Sequence, residues 1–289
     1  MMRNEYFENG YVVRRGLLPA DLIAELNQRF ADVADGVCEP AENMQVVRNV
    51  EVAKGLVTPK TKAHGISKMN FVQADPVLRK YSAFAPLLNQ VEQLIGPDLI
   101  SMNSMYLNKP PHVDGRHPLH QDLIYFPFRP ADSIVGVWSA LEPITRENGC
   151  LVMIPGSHKG ETHDHDYPDW EHKNHLFLGV KGVDTSARVH IEMEAGDTVF
   201  FHSNIIHGSG FNKTEGLRRA IAIHFANARC EDIWGGHKHT LDKYCPRDDY
   251  RLVRGEDPNG YVTHHSTGAE ERPIASSLRS RRAFNNERT

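Results

Sequence analysis

Residues 197–225, DTVFFHSNIIHGSGFNKTEGLRRAIAIHF, decide how this chain folds. The stretch opens and closes on short β-rich runs, DTVFFHS (197–203) and RRAIAIHF (218–225). Between them lie Gly, Ser and Asn turn residues and no helical pattern, so the two runs belong to antiparallel strands. In the second run the side chains alternate. Arg218, Ala220, Ala222 and His224 share one face, and Arg219, Ile221, Ile223 and Phe225 share the other. The bulky face suits packing, while the small residues beside Arg218 leave room for a ligand.

Similar runs extend upstream: LISMNSMYL (99–107), IVGVWSAL (134–141), CLVMIP (150–155) and RVHIEM (188–193), separated by Asn148-Gly149, Pro155-Gly156 and Gly196-Asp197. Together they predict a mainly β fold, an antiparallel sandwich or barrel, with the helices in the N-terminal third. Residues 17–36 place Leu22, Leu26, Phe30 and Val33 at helical spacing and end on Gly36. Residues 75–96 start on Asp75-Pro76 and end on Gly96, and Pro86 divides them into two helices. Residues 161–178 read as a polar inserted loop. The chain is expected to form one domain over 1–254, with a core at about 97–230, followed by a polar, basic tail at 255–289.

Composition narrows the function. With 289 residues and a formal charge of −4, nothing argues for nucleic acid or an anionic surface. The four cysteines, Cys38, Cys150, Cys230 and Cys245, have no CxxC spacing and read as reduced, packed thiols. No apolar run is long enough to span a bilayer. No targeting signal is evident, so cytoplasm is the expected compartment. The oligomeric state is not readable.

Histidine is the unusual count, at 17. In RHPLHQD (116–122), His120 and Asp122 are two residues apart, so in an extended segment both point to one side. A second histidine from a later strand would complete a 2-His-1-carboxylate triad, a set that leaves open positions on Fe(II) for a 2-oxo acid and O₂. His-x-Asp alone is weak, and His163-Asp164-His165-Asp166 offers a decoy, but in a strongly polar loop. His202 and His207 compete for the second position by spacing. His207 precedes a Gly-Ser-Gly turn that permits close approach of backbone to ligand, and Arg218 follows eleven residues later. A guanidinium there suits the far carboxylate of 2-oxoglutarate through two parallel hydrogen bonds.

The runs RHPLHQDLIYFPFRPAD, ENGCLVMIPGSHKG, HDYPDWE, EAGDTVFFH and IHGSGFNKTEGLRRAIAIHF together resemble the phytanoyl-CoA dioxygenase family of Fe(II)/2-oxoglutarate oxygenases, over roughly residues 60–230. The resemblance implies a double-stranded β-helix, the jelly-roll or cupin-like fold, with flanking N-terminal helices. It implies iron ligands at His120, Asp122 and His207, and 2-oxoglutarate contacts at Lys68, Met105, Trp138, Ser209 and Arg218, with Gln121 also at the site. Read alone, Met105 and Trp138 would be core residues and Lys68 a surface lysine. The implied reaction is hydroxylation of an acyl-CoA at carbon 2, giving succinate and CO₂, with ascorbate admitted as a reductant. The implied compartment is the peroxisome. Lys109, Arg116, Arg129 and Lys159 are available for an acyl-CoA's phosphates. The alternatives are the same chemistry on another lipid or secondary metabolite, a metal-binding barrel without oxygenase activity, and a zinc hydrolase.

Overall fold

The computed structural model describes residues 2–170, 177–235, 239, 241 and 244–262. Two antiparallel sheets face each other. The larger has eight strands in the spatial order Tyr11–Arg14, Thr198–His202, Ile134–Ala140, Arg218–Asn227, Leu99–Lys109, Ile66–Asn70 and Gln45–Arg48, with Arg251–Arg254 also paired to Leu99–Lys109. The smaller orders Val189–Ile191, Leu151–Met153, His207–Ser209 and His117–His120. This is the mainly β, double-stranded β-helix architecture that the residue pattern and the resemblance led us to expect.

The alternation in RRAIAIHF separates two environments as predicted. Ile221, Ile223 and Phe225 join the core between the large sheet and the helices, with Leu26, Phe30, Leu87 and Val91. The Phe30 and Tyr106 rings stack there at 4.5 Å, a geometry that adds about 1 kcal/mol beyond simple burial. Ala220 and Ala222 turn inward between the sheets, beside Trp138, Leu151, Met153 and Phe201.

The helix over Ala20–Asp35 ends at Gly36, whose φ of 75° is the left-handed turn that glycine makes without strain. Asp75 accepts from the backbone N–H groups of Val77 and Leu78, as a helix cap does. The chain there makes only a short 3₁₀ turn, Leu78–Lys80, before the helix Ala85–Ile95. Pro86 divides the segment because a proline tolerated in a helix's first turn disfavours helix before it.

Two expectations need correction, and one strand carries a feature that the residue pattern does not show. The N-terminal third is not only helical: Tyr11–Arg14, Gln45–Arg48 and Ile66–Asn70 join the large sheet. Runs of four or five residues are too short for their period to be recognised. Leu99–Lys109 is one strand, but its pairing shifts register between Ala222 and His224 opposite a bulge at Asn103, whose φ is 50°. Before the bulge Ile100 and Met102 face the inner side. After it the odd residues Met105, Leu107 and Lys109 do so. The extra residue flips the parity of the strand. Finally, packing continues past 254. Val262 is buried, and the Tyr261 hydroxyl donates to the Cys230 carbonyl at 2.7 Å. Residues 263–289 of the expected tail lie outside the described residues. Among the described residues, no helix is long and apolar enough to cross a membrane.

Candidate metal centre

Strand pairing brings the two histidines together. His207 lies opposite His120 in register, and their ring centroids are 4.3 Å apart. Gln121 remains extended (φ −121°, ψ 123°), so Asp122 returns to the His120 side just as a 3₁₀ turn begins. His120 Nε2 is 3.1 Å from Asp122 Oδ1, and His207 Nε2 is 3.5 Å from Oδ2. One ligand atom from each residue lies within 4.8 Å of the others, and all three side chains are buried. His202 is not part of this cluster. It follows Phe201, which lines the cavity, and so points the other way, with Nε2 3.0 Å from Asp132.

The chemistry of this donor set fits a divalent cation. His120 Nδ1 lies 2.8 Å from the Pro118 carbonyl and His207 Nδ1 3.1 Å from the Ile205 carbonyl. A carbonyl only accepts, so both rings carry a proton on Nδ1, and Nε2 is the atom each turns toward Asp122 and can offer to a metal. Burial, aided by the neighbouring His120, pushes the His207 pKa down to about 4, so the ring is neutral at physiological pH. Burial would raise the Asp122 carboxyl, but the surrounding imidazoles, foremost His207 where it is protonated, hold it well below the usual range. Two lone pairs and a carboxylate converging in a dry site repel one another unless a cation sits among them.

A fourth imidazole plays a different part. His224 Nε2 donates to Asp122 Oδ2 at 2.8 Å, and both groups are buried. The bond orients the carboxylate without competing for the cluster. His224 was visible in the sequence on the Arg218 face, but nothing there assigned it a partner.

The cavity runs from this cluster to a closed, basic end. Arg218 is buried, donates to the Gly149 carbonyl at 3.1 Å, and leaves its Nε without a partner. Burial lowers its pKa to about 10, so it stays charged at physiological pH. Its guanidinium lies 5.4 Å from the Trp138 ring centroid. Lys68, Met105 and Ser209 line the same cavity. Burial brings the Lys68 amine down to about 8, and the amine sits over the Phe177 ring. Arg219, on the other face, pairs with Glu142.

Gln121 is the exception among the expected site residues. Its side chain lies on the far side of the strand, fully buried. It donates to Asn204 and to the Glu161 carbonyl, and accepts from His163 N–H. Alternation takes it away from the cavity, where it ties the 161–165 segment beneath the metal-binding tripeptide. The decoy histidine His165 serves the same clamp, accepting from the Gln121 backbone N–H at 2.9 Å. The loop at 161–178 was expected to be solvated, yet Trp170 and Phe177 line the cavity, and Arg116 stacks on Trp170 at 4.4 Å. Residues 171–176 of that loop lie outside the described residues.

Sequence comparison places these features among known proteins. The phytanoyl-CoA dioxygenase (PhyH) family profile matches residues 6–220. The peroxisomal phytanoyl-CoA dioxygenase of Homo sapiens is 44% identical over 252 residues, covering 83% of this chain and 72% of its own. The Bos taurus protein of the same name is also 44% identical over 252 residues, covering 83% and 73%. Among solved structures, the non-heme alpha ketoglutarate dependent epimerase SnoN from nogalamycin biosynthesis superposes with a TM-score of 0.60 at 22% identity, covering 83% of this chain and 87% of that one. At that identity the likeness is one of fold.

Proposed function

The chain belongs to the phytanoyl-CoA dioxygenase family and is a dioxygenase; from that premise we propose that it hydroxylates an acyl-CoA at carbon 2, using Fe(II) and 2-oxoglutarate. His120, Asp122 and His207 would hold the iron, and Arg218 with Ser209 would hold the far carboxylate of the co-substrate. The observation that carries this reading is the convergence of two imidazole Nε2 atoms and one carboxylate in a buried cluster. Iron in such a site would supply the activation of O₂, one oxygen atom going to the oxo acid as it loses CO₂ to become succinate and the other to the substrate as hydroxyl.

The residues of the chain do the rest. The Pro118 and Ile205 carbonyls fix the two rings, and His224 fixes the carboxylate. Trp138, Leu151 and Phe201 keep water from the cluster, which strengthens every charge interaction inside. Lys68 and Met105 line the cavity beside both the metal cluster and the basic end, within reach of a chelating oxo acid. Arg116, at the cavity's edge against Trp170 and paired with Asp114, is available to the charged part of an acyl-CoA. A zinc hydrolase needs no buried arginine opposite its metal, so Arg218 favours the oxygenase over that alternative.

The test is a panel of acyl-CoAs, the matching free acids and unrelated lipids, scored by succinate release and by hydroxyl incorporation, with ascorbate as reductant. Acyl-CoA-dependent succinate with a 2-hydroxyacyl product supports the reading. Turnover on free acids or other lipids alone would move the substrate to the alternative class. Fractionation against peroxisomal and cytoplasmic markers addresses the compartment, since the mammalian relatives are named peroxisomal.

A further inference from the structure

Lys109 is a second cation at the closed end of the cavity. It pairs with Arg218 directly across the strands Leu99–Lys109 and Arg218–Asn227, and the bulge at Asn103 turns it inward. Only 6% of it is exposed. Its Nζ donates to Ser209 Oγ at 2.8 Å and to the Gly210 carbonyl. Its backbone carbonyl accepts from Asn212 Nδ2 at 2.8 Å.

The surroundings are shaped to its stem. A Cβ at Gly115 would come within 3.0 Å of Lys109 Cγ, and one at Gly149 within 3.0 Å of Lys109 Cδ and 2.6 Å of the Gly210 carbonyl. Gly149 is also the residue whose carbonyl holds Arg218. Among the described residues, neither Lys109 nor Arg218 makes an ion pair with a carboxylate. Two buried basic groups set side by side, with no carboxylate bonded to either, are costly to charge together unless an anion joins them.

Resting on the co-substrate reading above, we infer that Lys109 is a second cation for the far carboxylate of 2-oxoglutarate, closing on it together with Arg218 and the Ser209 hydroxyl. The carboxylate then has donors on both of its oxygens. Proton linkage follows. Burial and the adjacent Arg218 hold the Lys109 amine well below its ordinary range, against the weaker pull of Asp114 and Cys150. An arriving carboxylate favours the charged amine, so binding takes up a proton in the pH window between the two values. Affinity for 2-oxoglutarate therefore falls as pH rises through that window.

The experiment compares wild type, Lys109→Met and Lys109→Arg, each loaded anaerobically with Fe(II). They are titrated calorimetrically with 2-oxoglutarate and with 2-oxopentanoate, which has the same carbon chain but no far carboxylate. Mildly alkaline buffers of different ionisation enthalpy report the protons. Lys109→Met should weaken 2-oxoglutarate roughly tenfold or more, leave 2-oxopentanoate unchanged and abolish proton uptake, while Lys109→Arg recovers part of the affinity. Wild-type affinity in Lys109→Met overturns the inference, as does equal weakening of both oxo acids. Should Lys109→Met not fold, the wild-type titration decides alone, and the absence of proton uptake overturns it. If wild type fails to bind 2-oxoglutarate with Fe(II) at all, the functional reading itself has failed.

Discussion

At one end of the cavity a single carboxylate, Asp122, is surrounded by three imidazoles; at the other, Lys109 and Arg218 stand together, neither of them paired with a carboxylate among the described residues. The first end gathers electron pairs, and the second gathers basic groups. Each is satisfied by a ligand of opposite character, and a molecule that chelates a metal with one end and carries a carboxylate at the other joins them. 2-Oxoglutarate has that form, so the contrast between the ends is itself an argument for the co-substrate.

The most severe way to break the contrast is at the metal end. Asp122→Ala removes the only carboxylate of the cluster, and we expect turnover at background and metal affinity down by more than about a hundredfold, beyond what losing an outer partner costs. Titration with Co(II), followed spectroscopically, measures this without relying on activity. At the cationic end, Arg218→Leu should raise the 2-oxoglutarate KM roughly a hundredfold by removing charge-assisted hydrogen bonds, with metal affinity unchanged. The two variants thus separate the ends. If Arg218→Leu loses metal as well, the ends are not independent.

A smaller effect tests how the metal end is held. His224→Leu leaves Asp122 without its 2.8 Å donor. Metal affinity should fall about ten- to a hundredfold, with His224→Gln recovering part of it through its amide donor. The smallest effect is expected one residue from the largest cationic one. Arg219→Gln breaks a half-buried pair with Glu142 on the opposite face of the strand. It should cost about 1 kcal/mol of stability or less, read by denaturant titration, and leave the 2-oxoglutarate KM unchanged. A KM change comparable to that of Arg218→Leu would mean the faces are misassigned.

The sequence exposed these two ends unequally. The metal end was legible because its geometry is local: two residues of extended chain carry Asp122 to the side of His120, and alternation sends Arg218 and Arg219 apart. His207 was preferred over His202 for the Gly-Ser-Gly turn that follows it and for Arg218 eleven residues on, and the structure adds that Phe201 faces the cavity while His202 faces away. Resemblance supplied Lys68, Met105, Trp138 and Ser209, which no spacing would have promoted, and the structure lines the cavity with all four. It also supplied Gln121, whose side chain obeys alternation and faces away.

Lys109 was hidden by the bulge at Asn103. In an unbroken strand Lys109, at an odd position, would face away from the side that Ile100 and Met102 share, and one residue in a left-handed conformation leaves no periodic trace. The packing of Tyr250, Tyr261 and Val262 was illegible for a related reason. They are single apolar anchors in polar surroundings, and partners such as Phe128 lie more than a hundred residues away.

One measurement bears most directly on the joined ends. Fe(II) and 2-oxoglutarate are added anaerobically to wild type, and the visible metal-to-ligand charge-transfer band is followed against Asp122→Ala and Arg218→Leu. The account predicts a band in wild type, none in Asp122→Ala, and in Arg218→Leu a band that saturates only at much higher 2-oxoglutarate. No band in wild type, or an undiminished one in Asp122→Ala, would contradict it.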